Sequence, residues 1–366
     1  MLRLPAFALC CLCAGPLPAA DWPPRWHFSD GWELAPSTSV QYQALHADAG
    51  DSDGFRRQRA ALTLNSPRGY RFKFDYDFAS GTWADVVLQL PLDERQHLRI
   101  GQVKTPIGLE VFGSHRDLPL LERAALSTLL PGRRLGGEWS WRGGAVPLTV
   151  TAVGDNLDDQ ARGHGLFARA THAIGDSPAT GMLHLGVAAG MEWPEHTLRL
   201  RGRPDISGLP LTIADSGVLD HVARVDRLAL EAALDHGPWT FQAEHARLRA
   251  ARAAPHHAPG NGIDHAIDGE GAYLMAAWRP GGEARGYKDG LFKAPQATVG
   301  SGVFELVARV SWLSVDTADG GRDTGRSASL GGNWYINRHW RLQAQVSGSP
   351  DDGTGRIWGL RLHHLF

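Results

Sequence analysis

Past its first 20 residues, this 366-residue chain has no cysteine at all: Cys10, Cys11 and Cys13 are its only three. A disulfide framework is therefore excluded for residues 21–366, and stability has to come from packing or from closure of a sheet. Long apolar runs are also missing. Nothing after residue 20 reaches the ~18 consecutive apolar residues that a membrane-crossing helix needs, and no long 3.6-residue periodicity stands out. Lysine is scarce, with Lys73, Lys104, Lys288 and Lys293 alone, so arginine carries the positive charge. Neither sign dominates: 37 basic against 39 acidic residues exclude a nucleic-acid binder that relies on bulk charge.

What is present begins with MLRLPAFALCCLCAGPLPAA. One early cation, a short apolar stretch and a small-residue end have the layout of a secretory leader, with cleavage expected after Ala20. The rest, residues 21–366, reads as one domain without linker or repeat.

Residues 69–78, GYRFKFDYDF, place an aromatic at every second position and fill the gaps with Arg71, Lys73, Asp75 and Asp77. A period of two is a strand whose side chains alternate between faces. Either the aromatic face is the core of a secreted soluble β-sandwich, or it meets lipid while the charged face meets water inside a barrel. The alternation recurs. Leu228, Leu230, Ala232 and Leu234 oppose Arg227 and Glu231; Phe304, Leu306, Ala308, Val310 and Trp312 oppose Glu305 and Arg309; Leu198 and Leu200 oppose Arg199, Arg201 and Arg203. Roughly 16 or 17 such segments fit, separated alternately by tight turns (65–69, 235–238, 337–339) and longer polar loops, as in an outer-membrane barrel with strands of about 10 residues. Closure would leave no unpaired edge in the bilayer. Trp358, Leu360, Leu362, His364 and Phe366 share a face on the last segment, and a terminal Phe on such a strand resembles the signal read by the bacterial barrel-assembly machinery. The expected fold is all-β, a transmembrane antiparallel barrel of about 16 strands in the outer membrane.

The stretch 97–136, HLRIGQVKTPIGLEVFGSHRDLPLLERAALSTLLPGRRLG, with RRQRAALTL at 56–64 and GYKDGLFKAP at 286–295, resembles the phosphate-selective porins of the O and P type. The shared core runs GQ-x-K-x-P-x-G-x-E and closes on P-G-R-R-x-G. The resemblance implies a sixteen-stranded homotrimeric channel, embedded in outer-membrane lipid, that passes phosphate, polyphosphate or other small anions. It also implies a constriction loop at about 105–137 folded into the lumen. Leu118, Leu120, Leu121, Leu126, Leu129 and Leu130 independently require burial there, against the inner wall or at a subunit interface.

Anion-binding residues follow by the same resemblance: Arg56, Arg57 and Arg59 at the central site, of which parity lets only two share a lumen face, then Lys73, Asp85, Lys104, Ser114, Arg116, Arg133 and Arg134. Arg199, Arg201 and Arg203 resemble the family's arginine ladder, or else form a surface-loop cluster. Guanidinium suits phosphate through its planar fork of donors and its permanent charge. Asp85, a carboxylate among cations, would hold their geometry and keep an anion from binding too tightly to leave. Gly113, Ser114, His115 and Arg116 stand where the family tends to offer paired serines and lysines, which leaves another anion open. No enzyme motif, cofactor or metal site is expected. Gly163, Gly165 and Ala168 satisfy a loose G-x-G-x-x-A but precede a strand. Asp51, Asp53 and Gly54 lack the later acidic ligand of a calcium loop, and His256–His257 and His363–His364 lack metal-ligand spacing. A barrel enzyme of lipase or protease type, or a porin for another solute, are the alternatives.

Overall fold

The computed structural model describes residues 24–195, 197–252, 266–297, 302–349 and 355–366. The leader expected at 1–20 and the pair His256–His257 lie outside them. Sixteen antiparallel strands follow in chain order: β1 Glu33–Ala47, β2 Gly50–Asn65, β3 Arg71–Asp77, β4 Thr82–Pro91, β5 Gln96–Lys104, β6 Arg133–Trp141, β7 Leu148–Val153, β8 Gly163–Ser177, β9 Gly181–Pro194, β10 Val222–His236, β11 Trp239–Arg252, β12 Ile267–Trp278, β13 Val303–Asp316, β14 Arg322–Tyr335, β15 Trp340–Gly348 and β16 Arg356–Leu365. The sheet closes where β16 pairs back on β1, from Ser39 opposite Leu365 to Ala47 opposite Ile357.

Closure puts lipid-type side chains outside. On β3 and the turn after it, Phe72, Phe74 and Phe78 are 37%, 50% and 65% exposed while Asp75 and Asp77 are 5% and 9%, so the charged face is the inner one. The same division holds on β10, where Leu228, Leu230 and Leu234 are exposed and Arg227 and Glu231 buried, and on β13. An outer apolar face and an inner polar one, on a sheet closed into a barrel, is what a bilayer permits.

Both described ends of the chain lie at one end of the barrel, the terminal end. Its turns are short, as in Ser66–Tyr70, where the Gly69 amide donates to the Ser66 carbonyl at 3.1 Å. Two long segments, 105–132 and 195–221, start from the opposite, loop end. Segment 105–132 folds inside, carrying a short helix Leu109–Phe112 and a 3₁₀ turn Ala125–Leu129. All six leucines that called for burial are at most 7% exposed. Four of them sit over wall glycines: Leu120 over Gly331, Leu121 over Gly359, Leu126 over Gly271 and Leu129 over Gly269, each so close that a Cβ on the glycine would lie 2.6–2.9 Å from the leucine. The loop is packed on the inner wall as knobs in glycine holes. It ends earlier than the sequence suggested, because Arg133 already opens β6.

Segment 195–221 overturns one reading. Residues 198–203 alternate, yet they form no barrel strand: Leu198 bridges Leu219, and Arg201–Gly202 pairs with Ala214–Asp215 in a small hairpin. Leu200 is buried in the cluster that holds Leu126 and Leu129, so its apolar face meets the plug and not lipid. Between the two hairpin strands the segment runs along the inner wall from β13 round to β1. Asp205, fully buried, accepts from Arg309 Nε at 2.9 Å and from Ser329 at 2.8 Å, and Ile206 packs with Leu45, Leu121 and Ile357. A third segment, 279–297, enters from the terminal end, where the turns are otherwise short. Its hairpin, Tyr287–Lys288 with Leu291–Phe292, turns on Asp289 and Gly290 at φ 55° and 72°, the paired positive values that an Asp-Gly two-residue turn supplies.

Candidate functional site

The three inward segments fill the lumen unevenly. Against β7–β13 the first two form a continuous apolar core around Ile107, Leu126, Leu129, Leu200 and Leu219. Against β1–β8 all three leave a cavity of about 1300 Å³. The open part of the lumen is therefore eccentric, along one half of the barrel. Twelve arginine and lysine side chains line this cavity against five acidic ones, a balance far from that of the whole chain.

Arg59 anchors its centre. Its Nε and Nη2 donate to Asp75, Nε at 3.0 Å and Nη2 at 2.6 Å, and its Nη1 donates to His115 Nδ1 at 3.1 Å. Because Nδ1 accepts, the proton of the neutral His115 ring sits on Nε2, which bonds Ser39 Oγ at 2.9 Å; Ser39 in turn meets His363 Nε2 at 2.8 Å. Burial, reinforced by Arg57 and Arg59, holds His115 well below the usual histidine value. Lys73 bridges Asp75 at 3.0 Å and Asp85 at 2.7 Å, and Arg133 reaches the other Asp85 oxygen at 2.7 Å. Lys104 donates to the carbonyls of Phe112 and Gly113, and Arg116 to Thr38 O at 3.0 Å. Ser114 Oγ accepts from the Arg116 amide at 3.2 Å. Arg59, Lys73, Asp85, Lys104, Ser114, Arg116 and Arg133 thus share one cavity.

Arg56 and Arg57 stand beside it. Parity allowed only two of Arg56, Arg57 and Arg59 to face inward, but the register jumps from Gln41–Arg57 to Tyr42–Phe55, a bulge that inserts Arg56 as the extra residue and turns it in with the others. Arg56 Nε donates to Glu122 at 2.8 Å, and Arg57 and Arg361 meet the same carboxylate at 3.5 and 2.8 Å. Burial alone would raise Glu122; Arg57, Arg56 and Arg361 outweigh it and hold the carboxyl well below its ordinary range.

Other expected residues are placed elsewhere. Arg134 is buried in the wall, bonded to Glu192 and to the carbonyls of Gly154 and Gly163. Arg199 and Arg201 are exposed on the small hairpin, Arg199 against Asp215 at 2.5 Å and Arg201 against Thr212 at 2.7 Å, and Arg203 reaches Ser207 at 3.3 Å. None of the three lines the cavity.

Several lumen residues had not been singled out. Arg123 hydrogen-bonds the Glu110 carbonyl at 2.7 Å, and burial with the nearby Arg57 lowers it to about 10. Arg309 joins Asp205, Glu110 and the Glu122 carbonyl, each at 2.9 Å, and so ties two inward segments to the wall. Arg169 donates to Glu231 and to Gly290 O, holding the hairpin tip. Arg285 pairs with Glu305 at 2.8 Å and donates to Asp117 O. The available signal was charge at inward positions of alternating strands, as at Glu231 and Arg309.

Comparison with known proteins agrees with this architecture. Among solved structures, the chain is similar to the in-vitro folded outer membrane protein OmpT of Vibrio cholerae (TM-score 0.62, 12% identity, covering 93% of this chain and 99% of that one). It is also similar to an anion-selective porin from Comamonas acidovorans (TM-score 0.57, 11% identity, 92% and 100%) and to the outer membrane channel DcaP of Acinetobacter baumannii (TM-score 0.54, 13% identity, 93% and 99%). At these identities the likeness is one of fold. No curated protein matches the sequence. The family model for phosphate-selective porin O and P matches residues 39–356, and the chain belongs to that family of bacterial outer-membrane porins.

Proposed function

We propose that the chain is a passive channel that selects small anions, with phosphate or polyphosphate foremost, and that it catalyses no reaction. The observation that carries this reading is the cavity along β1–β8, where twelve basic side chains face five acidic ones. An anion leaving bulk water loses hydration, and oriented guanidinium and ammonium donors replace it. Arg71 and Arg99 come first from the terminal end, Lys73, Arg59 and Arg116 next, and Lys104 and Arg133 beside the constriction loop. Arg56, Arg57 and Arg123 continue the line, and Arg199, Arg201 and Arg203, on the loop-end hairpin, serve as capture positions. Asp75 and Asp85 divide the positive charge so that an anion meets many moderate sites in place of one deep well. Arg134, buried against Glu192, holds the wall. The family also supports a homotrimer.

Planar-bilayer recording tests the reading. The parent should favour anions in a salt-gradient reversal potential, and phosphate should block chloride current. Arg59→Ala should weaken that block about tenfold, the loss expected of one charge-assisted contact. A cation-selective parent, or a block untouched by Arg59→Ala, would sink the anion mechanism.

A further inference from the structure

The lumen does not account for a feature of the outer face. Across β9–β16 the lipid-facing surface is concave, a groove of about 1190 Å³ floored by Ala232, Ala243, Ala276, Ala308 and Ala328. Its rims are the exposed Phe241, Leu274, Val310 and Leu330. The groove has a polar end. Along one cross-strand row Val310 faces Ala328, Ala328 faces Gly348 and Gly348 faces Arg356, so the concavity runs up to Arg356 at the loop end of β16. Arg326 lies two residues from Ala328 on the same outward face of β14, roughly 7 Å nearer the loop end.

These two arginines differ from others around them. Arg322 is paired with Asp316 and Arg247 with Asp268, but Arg326 and Arg356 are exposed and have no ion-pair or hydrogen-bond partner among the described residues. Each adjoins an indole: Trp312 is the cross-strand partner of Arg326, and Trp358 lies two residues from Arg356 on its own outward face. Tryptophan beside arginine on the outside of a barrel marks the level of lipid headgroups. The two Cα positions are two strands and one two-residue step apart, roughly 12 Å, within the joint reach of two guanidinium groups.

From this juxtaposition we infer that β9–β16 carry a docking site for a phosphorylated lipid of the outer leaflet, with an acyl chain lying in the alanine groove and its phosphate held by Arg326 and Arg356. A flexible acyl chain fills a narrow concavity, and phosphate satisfies two unpartnered guanidiniums through paired, charge-assisted bonds. A second copy of the chain brings no phosphate to these two arginines.

The test uses the full mature chain, refolded in detergent, with bis-phosphorylated lipid A as probe and native mass spectrometry as readout. The parent should retain one lipid per chain. The double variant R326E/R356E should lose retention at least about tenfold, as expected for two charge-assisted contacts, and lipid A stripped of both phosphates should be retained as poorly by the parent. Ala328→Phe, which fills the groove and keeps both arginines, should also lose the lipid. A heat-dependent gel shift on every variant shows that the barrel has folded. Equal retention by R326E/R356E, equal retention of dephosphorylated lipid A or of phosphatidylglycerol, or lipid-free oligomers that Ala328→Phe dissociates would each overturn the proposal, the last by giving the groove to a second copy.

Discussion

Asp85 sits 2.7 Å from both Lys73 Nζ and Arg133 Nε, and in the proposed channel that position would set how strongly the narrow part of the path holds an anion. Removing its charge while keeping its shape leaves two cations facing the cavity with one fewer counter-charge. At roughly 8 Å and an effective dielectric constant near 40, one unit charge is worth about 1 kcal/mol. Asp85→Asn should therefore tighten phosphate block of chloride current about fivefold and slow phosphate exit, visible as longer blocked intervals in single-channel records. Unchanged or weaker block would show that Asp85 only positions its partners. Arg59 differs, because Asp75 and His115 take three of its five N–H donors, so a guanidinium whose geometry is already fixed would offer an anion the two that remain.

The inward segments decide the pore at the scale of elements, and glycine decides how they seat. Gly271 lies under Leu126, where an added Cβ would stand 2.9 Å from that leucine's Cβ. Gly271→Val overpacks a contact between wall and loop, at about 1–3 kcal/mol, while leaving the pairing of β11, β12 and β13 in place. The expected result is a folded barrel with higher, noisier conductance and weaker anion preference; a variant with parental conductance would show that the loop is held by its ion pairs alone, Glu122 to Arg56 and Arg309 to Glu110. The elements were unequally legible in the sequence. Strands such as β3, β10 and β13 announce themselves because one face must be apolar in lipid and the other is polar in the lumen. Residues 198–203 show the same alternation for another reason, since their apolar side is buried in a plug; periodicity reports two environments and does not say which two. The bulge at Arg56 was invisible because one extra residue leaves composition unchanged and only the partner strand reveals it. The hairpin at 287–292 had a signal, the Asp-Gly pair between Tyr287–Lys288 and Leu291–Phe292, but nothing local says that it points into the barrel. That depends on Arg169, Arg279 and Arg285 finding Glu231, Asp235 and Glu305 on distant strands.

For the whole molecule the consequence is asymmetry: a barrel symmetric in strand count is open along one half, and the proposed channel would conduct there. Ile107, Leu129, Leu219 and Leu248 are all under 1% exposed on the filled side, whereas Thr63 and Thr149 line the cavity on the other. The absence of cysteine beyond residue 13 makes this directly testable, since one introduced thiol is the only reactive group in the segment 21–366. Thr63→Cys and Thr149→Cys, each an exchange of similar size at a position lining the cavity, should react within minutes with a charged, water-soluble methanethiosulfonate and lower the current stepwise. Val307→Cys and Leu313→Cys, buried on the inner wall under the apolar cluster, should resist the same reagent in the folded barrel and react after boiling in detergent, which opens the closed sheet. Rapid labelling at 307 or 313 with the barrel still folded would mean that the plug leaves in solution and the pore is central. Protection at 63 and 149 would instead place the path outside the arginine-rich cavity and remove the ground for anion selection by Arg59, Lys73 and Arg133.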